Sequence, residues 1–304
     1  MAPTSRRPLL LRTMRTVRAV VLDASGQPEL ADLPAPSGDG VLVRVLACGL
    51  CGSDVEKLGD ASHAGTVLGH EVVGELQDGT RVTVMHRVSC GECDRCRSGH
   101  ESTCEEFARL RTTPGGFAEY LRATHTLPIG DADGVWIEPL ACVLRASELV
   151  PRGRVLVVGA GAIGQLWIHV LRRRGDAVTV VDPRPDRLAA AERCGASTDD
   201  GAVDAAVLTA HGGAADALGR LAPGGVLVVF AAPPTLVPLP LDVVYRRELR
   251  LVGSRSATPK HFRAALDLLP SIDLPPATTL PLERFAEGVE LYRRGDVLKV
   301  VFTP

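Results

Sequence analysis

Three groups of residues in this chain have the types and spacing to do chemistry. Cys90-Gly-Glu-Cys93-Asp-Arg-Cys96-Arg-Ser-Gly-His-Glu-Ser-Thr-Cys104 places four thiols in one short loop. Thiolates this close can close a tetrahedral zinc site with no water position, an arrangement that is structural rather than catalytic. Incidental free thiols and a redox-active pair are the plainer alternatives. The second group is split between Cys51-Gly-Ser53-Asp54 and Leu68-Gly69-His70-Glu71. A lone cysteine or histidine is usually a core residue. Here a glycine flanks each, and such tight backbone paths can aim both side chains at a common point. The third group is Gly159-Ala-Gly161-Ala162-Ile163-Gly164, directly after the apolar run Val155 to Val158. Its spacing suits a dinucleotide. The first glycine permits a tight turn, the second lets the backbone approach a pyrophosphate, and the third lets helix pack on strand. The helix N-terminus then turns free N–H groups towards the phosphates. A second strand ends in Asp182, 18 residues past Gly164, where a ribose-binding acid belongs.

The elements that must position these groups can be read in order. Short strands broken by turn residues (Val17 to Leu22, Val41 to Leu46, and a return near Pro114 to Tyr120) make the N-terminal region largely β. An amphipathic helix is expected from Pro139 to about Val150. Glu138 precedes that proline, so its backbone is expected to be extended. Apolar strands and helices then alternate: strands Val155 to Val158, Val178 to Asp182, Val203 to Leu208, Val226 to Phe230 and Leu249 to Val252, with a helix at 213–221. Strands without polar residues belong in a parallel sheet covered on both faces. Between Gly195 and the strand at Val203 only seven residues remain, Ala196 to Ala202. A strand plus its crossover helix needs more than about a dozen, so that helix is expected to be missing. The tail reads as helices from Phe262 to Leu269 and near Leu282 to Arg293, and a last strand from Leu298 to Phe302.

At 304 residues the chain has room for two cored domains, and its hydrophobic content of 45% is that of a globular protein. No apolar run reaches the ~20 residues of a membrane span. The charge sum of 34 basic against 36 acidic residues gives −2, so no bulk field favours nucleic acid or a membrane surface. Eight cysteines without a signal-peptide pattern point to metal or thiol chemistry in the cytoplasm rather than to disulfides. The chain has no asparagine, and Lys57, Lys260 and Lys299 are its lysines. A GC-rich genome accounts for both, and heat adaptation is the sharper alternative. The arginine-rich, acid-free start reads as a disordered extension over residues 1–15, or as sequence from an upstream start codon ahead of Met14, with a targeting segment as a further alternative.

Together these motifs resemble the zinc-dependent medium-chain dehydrogenase/reductase family, the alcohol and polyol dehydrogenases, from about residue 17 to the C-terminus. To those above the resemblance adds Gly115-Gly-Phe-Ala-Glu-Tyr120, Glu138-Pro-Leu, Pro223-Gly-Gly225 and the closing Lys299-Val-Val-Phe-Thr-Pro304. It implies an α/β protein. A GroES-like β-barrel catalytic domain would comprise residues 16–145, with a zinc lobe at about 86–105, and residues 256–304. A Rossmann doubly wound parallel sheet with a shortened third βα unit would occupy 146–255, the active site lying in the cleft between the two.

The resemblance also assigns roles. Cys51 and His70 would hold a catalytic zinc, with Glu138 as third ligand, Glu71 as a nearby alternative and Cys142 as a thiolate alternative. Ser53 would hold the substrate hydroxyl and pass its proton outward. Cys90, Cys93, Cys96 and Cys104 would hold a second, structural zinc. NAD(H) would lie on Gly159, Gly161, Ala162, Ile163, Gly164, Asp182 and Arg187, although Arg184 and Arg187 could soften a preference for NAD over NADP. The implied reaction is hydride transfer between NAD(H) and a secondary alcohol, of polyol or sugar type, in a homodimer or homotetramer. A threonine- or formaldehyde-type dehydrogenase and a non-catalytic cofactor-binding member are the neighbouring readings. Two departures stand out: the trimmed third βα unit, and Glu56 where many relatives place a relay histidine.

Overall fold

The structure, a computed structural model, describes residues 15–231 and 236–304. The expected N-terminal extension falls outside these residues except for Arg15. The chain divides into two compact units, Met1–Glu138 with Pro276–Pro304, and Pro139–Pro275. The second unit is wider than the 146–255 segment expected.

In the first unit, β1 (Thr16–Leu22) buries Val17, Ala19, Val20 and Leu22 and pairs antiparallel with β2 (Pro28–Pro34). β3 (Val41–Gly49) turns Val43 and Val45 inward at the period of two that a strand imposes. The short helix α1 (Gly52–Val55) follows it at once. β4 (Glu71–Glu75) pairs antiparallel with β3, with Gly49 opposite Glu71. That register carries the site. Cys51 lies just past the end of one strand and His70 just before the start of the other, so the two loops leave the sheet side by side. β5 (Arg81–Val84) extends the sheet, and the cysteine-rich lobe then carries α2 (Asp94–Arg97) and α3 (Glu105–Ala108). β6 (Thr112–Thr113), β7 (Tyr120–Ala123) and β8 (Thr126–Pro128) return the chain to the sheet, β7 against β3 and β8 against β5.

Helix α4 (Ile137–Ser147) contains the boundary between the units. Glu138 is therefore helical, not extended as expected. Pro139 is the third residue of the helix, where its missing N–H would have had no intrahelical partner, so the helix can begin ahead of it. In the second unit β9 (Arg154–Val158), β10 (Ala177–Val181), β11 (Val203–Leu208), β12 (Leu221–Val229) and β13 (Arg250–Gly253) form a parallel sheet in the order β10-β9-β11-β12-β13. Its helices are α5 (Ala162–Arg174), α6 (Pro185–Arg193), α7 (Ala214–Arg220), α8 (Leu241–Arg246) and α9 (Pro259–Leu268).

The expected gap is present: among the described residues no helix lies between α6 and β11. Ser197 instead rests on the outer edge of β10, its N–H donating to Val178 O and its carbonyl accepting from Val180 N, both at 2.8 Å. A cavity of about 340 Å³ lies there, lined by residues including Arg172, Thr179, Gly195 and Asp199. β12 begins earlier than expected because Leu221 pairs with Val203, and a register shift before Ala205 absorbs the Pro223-Gly-Gly225 turn.

The chain then returns to the first unit as β14 (Ala277–Pro281), α10 (Phe285–Arg294) and β15 (Lys299–Thr303). β15 runs antiparallel to β3, with Val301 opposite Gly49 and Phe302 opposite Cys48, and completes an eight-stranded sheet. Phe117, Phe285 and Phe302 meet in its core with ring centroids 4.6–5.6 Å apart, tying the two ends of the chain together. No helix of the described residues is long and apolar enough to cross a membrane.

Candidate functional site

The adjacent ends of β3 and β4 bring Cys51, His70 and Glu71 together, their ligand atoms all within 4.8 Å of one another. Asp54, buried on α1, stands behind them. Its carboxylate lies 3.3 Å from His70 Nδ1 and accepts from Cys51 N at 3.2 Å and Gly69 N at 3.4 Å. A carboxylate that fixes one ring nitrogen leaves the other to face a metal and makes it a better donor. Burial by itself would raise the Asp54 pKa, but His70 holds it below the usual carboxylate range. Burial likewise works against a charged His70, yet the Asp54 carboxylate and Cys51 outweigh it and raise that imidazole well above its ordinary pKa. Ser53 donates to Cys51 Sγ at 3.4 Å and, like Glu56 just past the same short helix, is exposed.

Glu71 is not free. Lys299, the first residue of β15, pairs with its carboxylate, donates to Leu50 O at 3.3 Å and lies 5.5 Å from the Trp136 ring centre. Both charged side chains are almost wholly buried, at 4% and 2% exposure. Desolvation opposes the ammonium, but Glu71, Cys51 and Glu138 together raise its pKa. A Cβ on Gly49 would collide with the Glu71 carboxylate, so that position has to be glycine. Glu138 is buried at the start of α4 and does not complete a three-donor group with Cys51 and His70 in this conformation. Cys142, buried in α4, and Cys48, buried at the end of β3, join no such group either.

The four cysteines of the lobe form one cluster. Sulfurs at ~2.3 Å from one zinc, tetrahedrally placed, stand about 3.8 Å apart. The observed Sγ···Sγ separations are 3.9 Å for Cys90–Cys96, 3.5 Å for Cys93–Cys96 and 3.6 Å for Cys104–Cys90. The donor set and its spacing therefore fit zinc. The Cys90 N–H, pointing at Cys104 Sγ, brings that thiol down to about 6, while burial and the neighbouring sulfurs push Cys96 up to about 11.

In the second unit Gly159 takes φ +100°, a conformation that a side chain rarely adopts, and a Cβ on Gly164 would collide with Gly159 O. Gly161 caps α5 without a side-chain bond, so the first N–H groups of the helix, at Ala162, Ile163 and Gly164, lack intrahelical partners. Asp182 follows β10 and is held beside this turn by Ala160 N at 2.8 Å and Arg184 N at 2.9 Å. Arg187 Nη1 lies 3.9 Å from where a Cβ on Gly161 would stand, whereas Arg184 pairs with Asp186 at 3.2 Å. The turn fits a dinucleotide: it offers backbone donors for phosphates, a fixed acid for a ribose, and one arginine within reach of the phosphates.

Two residues near the Cys51 group escaped the sequence reading. Lys299 appeared there only as one of three lysines and as part of a terminal motif. His86 did not appear at all, yet its ring lies 4.8 Å from the His70 ring, centroid to centroid, tilted by 45°. Burial first, then His70 and Arg87, hold its pKa well below the ordinary imidazole value. Its one sequence signal was its place just ahead of the cysteine lobe.

The chain was compared with known proteins. The alcohol dehydrogenase GroES-like domain family matches residues 37–131, and a ketopantoate reductase PanE/ApbA family matches residues 155–218. The D-altritol 5-dehydrogenase of Agrobacterium fabrum is 34% identical over 286 residues, covering 79% of this chain and 84% of the relative. The sorbitol dehydrogenase of Bacillus subtilis is 28% identical over 289 residues, covering 79% and 82%. Among solved structures, a zinc-binding dehydrogenase of Sinorhizobium meliloti bound to NADP superposes with a TM-score of 0.81 at 25% identity, covering 96% of this chain and 100% of that one.

Proposed function

The chain belongs to the zinc-dependent medium-chain dehydrogenase/reductase family, and on that premise we propose that it moves a hydride between NAD(H) and a secondary alcohol of polyol or sugar type. The observation that carries this reading is the convergence of Cys51, His70 and Glu71 within 4.8 Å, with the Ser53 hydroxyl 3.4 Å from the Cys51 sulfur. The relatives named for altritol and sorbitol support the polyol class.

Cys51 and His70 would hold a catalytic zinc, with Glu138 as the third protein ligand and Glu71 as the alternative carboxylate. When bound, zinc supplies the Lewis acidity that lowers the pKa of a substrate hydroxyl, and the nicotinamide supplies the hydride acceptor. Asp54 fixes the His70 ring. Ser53 Oγ accepts the hydrogen bond of the substrate hydroxyl and releases its own proton outward, past the exposed Glu56 one turn on. Cys90, Cys93, Cys96 and Cys104 would hold a second zinc that keeps that loop together.

The test is NADH absorbance with a panel of polyols, simple alcohols and amino acids. Ser53→Ala should lower kcat about 10²- to 10⁴-fold, with zinc content and NAD+ affinity unchanged. Turnover equal to wild type would remove Ser53 from the reaction, and no NADH from any alcohol with the wild type would remove the reaction itself.

The cofactor is NAD(H) rather than NADP(H). Asp182 repels a 2′-phosphate and accepts from the ribose hydroxyls, and the diversion of Arg184 to Asp186 supports the same choice. Asp182→Ser should weaken NADH binding about tenfold to a hundredfold, the scale of losing one or two hydrogen bonds to a charged group, and narrow the gap to NADPH. NADH fluorescence titration reads both, and a wild type that binds NADPH more tightly than NADH would reverse the assignment.

The protein is a homodimer or homotetramer of the cytoplasm. None of its eight cysteines is in a disulfide, and β13 is an open sheet edge with Leu251, and with Leu241 and Tyr245 of α8, exposed. Light scattering at micromolar concentration should give at least twice the 32.1 kDa chain mass.

A further inference from the structure

We propose that His86 is a specificity-determining residue, hydrogen-bonding a second hydroxyl on the carbon next to the reacting one, so that the enzyme selects vicinal diols over simple secondary alcohols. The inference rests on the dehydrogenase reading above and deepens it. His86 follows β5 and its backbone is fixed on both sides: Met85 N donates to His125 O at 3.0 Å, and His86 O accepts from Arg111 N at 2.8 Å. The ring therefore has a defined place, tilted against His70 with centroids 4.8 Å apart.

Its Nδ1 is buried and has no hydrogen-bond partner. Among the described residues three other buried side-chain atoms share that condition. Arg111 Nε belongs to a guanidinium that bonds Glu106 through another nitrogen, and Trp167 Nε1 and His169 Nε2 lie on α5 of the other unit. Of these four, only the His86 atom belongs to a ring packed against one of the Cys51 group. Leaving a buried polar atom unpaired forfeits its hydration without return, so such atoms in native proteins call for a partner.

A hydroxyl is the partner that suits this atom in either tautomer. It donates to a bare Nδ1 or accepts from Nδ1–H. The His86 ring borders His70, so on this proposal a substrate whose first hydroxyl is held at Cys51, His70 and Ser53 turns its neighbouring hydroxyl to His86 Nδ1. A monoalcohol brings only C–H there and leaves Nδ1 unpaired, which is how a polar site rejects an analogue that lacks one hydroxyl.

The test uses the zinc-loaded, full-length enzyme with 2,3-butanediol and 2-butanol, which differ by a single hydroxyl. Wild type should show kcat/KM roughly tenfold to a hundredfold higher for the diol, the range that one such bond supplies. His86→Phe should erase that preference by lowering the diol value while 2-butanol stays within about threefold. His86→Asn, which keeps a polar atom near the Nδ1 position, should restore part of it. The dissociation constant of the diol from the enzyme–NADH complex, read by NADH fluorescence, should weaken in parallel, with zinc content unchanged. Equal losses for both substrates, or a loss of zinc, would show that His86 only supports His70 and would overturn the proposal. So would a wild type that does not distinguish the two. A wild type that oxidises no alcohol at all sinks the dehydrogenase reading, and this proposal with it.

Discussion

Lys299→Met should lower the stability of the zinc-free protein by about 3–5 kcal/mol, because it strands the nearly inaccessible Glu71 carboxylate without a counter-charge. Most of that loss should return in the double variant Lys299→Met, Glu71→Gln, since replacing a buried ion pair by a neutral one is often close to neutral. Urea unfolding of the metal-free single and double variants measures both. The sign with pH follows from the lysine, whose folded pKa is raised above its unfolded value. Its contribution is complete at neutral pH and is lost only as the pH climbs through the raised value. Zinc should shrink the penalty, because a released Glu71 gains the metal as its counter-charge. Glu138→Ala and Glu71→Ala measured alongside identify the third ligand: whichever carboxylate holds the metal loses zinc on truncation. A single-variant loss below about 1 kcal/mol would mean that the pair is a surface-type contact despite its burial.

Cys96→Ser should be the most damaging change in the cysteine lobe. Structural zinc in small thiolate sites contributes about 10–16 kcal/mol of apparent binding free energy at neutral pH, and that energy is available only to the folded loop. The lobe has little else. Its core is Cys96, Cys104 and Phe107, with Cys93 packed against them. The variant should bind one zinc fewer per chain and melt at a lower temperature, while the surviving folded protein keeps its affinity for NADH, whose turn lies in the other unit. Full zinc content with an unchanged melting point would overturn the structural role.

Legibility tracked how local each feature is. The shape of the glycine turn was readable because Gly159 to Gly164 and Asp182 belong to one βαβ stretch whose spacing is set by covalent length. The missing crossover helix was readable as a count, since seven residues cannot build it. The pairing of Lys299 with Glu71 was not readable. They are 228 positions apart, and only the antiparallel register of β15 on β3 brings them together. The helical state of Glu138 was misread because the residue before a proline is only biased towards extension, and a helix starting at Ile137 leaves Pro139 where no donor is required. His86 was passed over because a single histidine has no spacing partner; its significance comes from a neighbouring ring and an unmet hydrogen bond, both tertiary facts.

The antiparallel seam between β3 and β15 also sets an order of events during synthesis. On the ribosome, Pro139–Pro275 emerges as one uninterrupted stretch, so that unit can fold while translation continues. The other unit has to wait. The Cys48–Gly49 end of its strand β3, beyond the stretch that β7 covers, has no partner on one side until residues 299–303 are free to pair, and until then the Glu71 acid lacks Lys299. A nascent chain stalled or truncated short of Lys299 would expose an open strand edge and a carboxylate seeking a charge, and would be a natural client for chaperones and proteases.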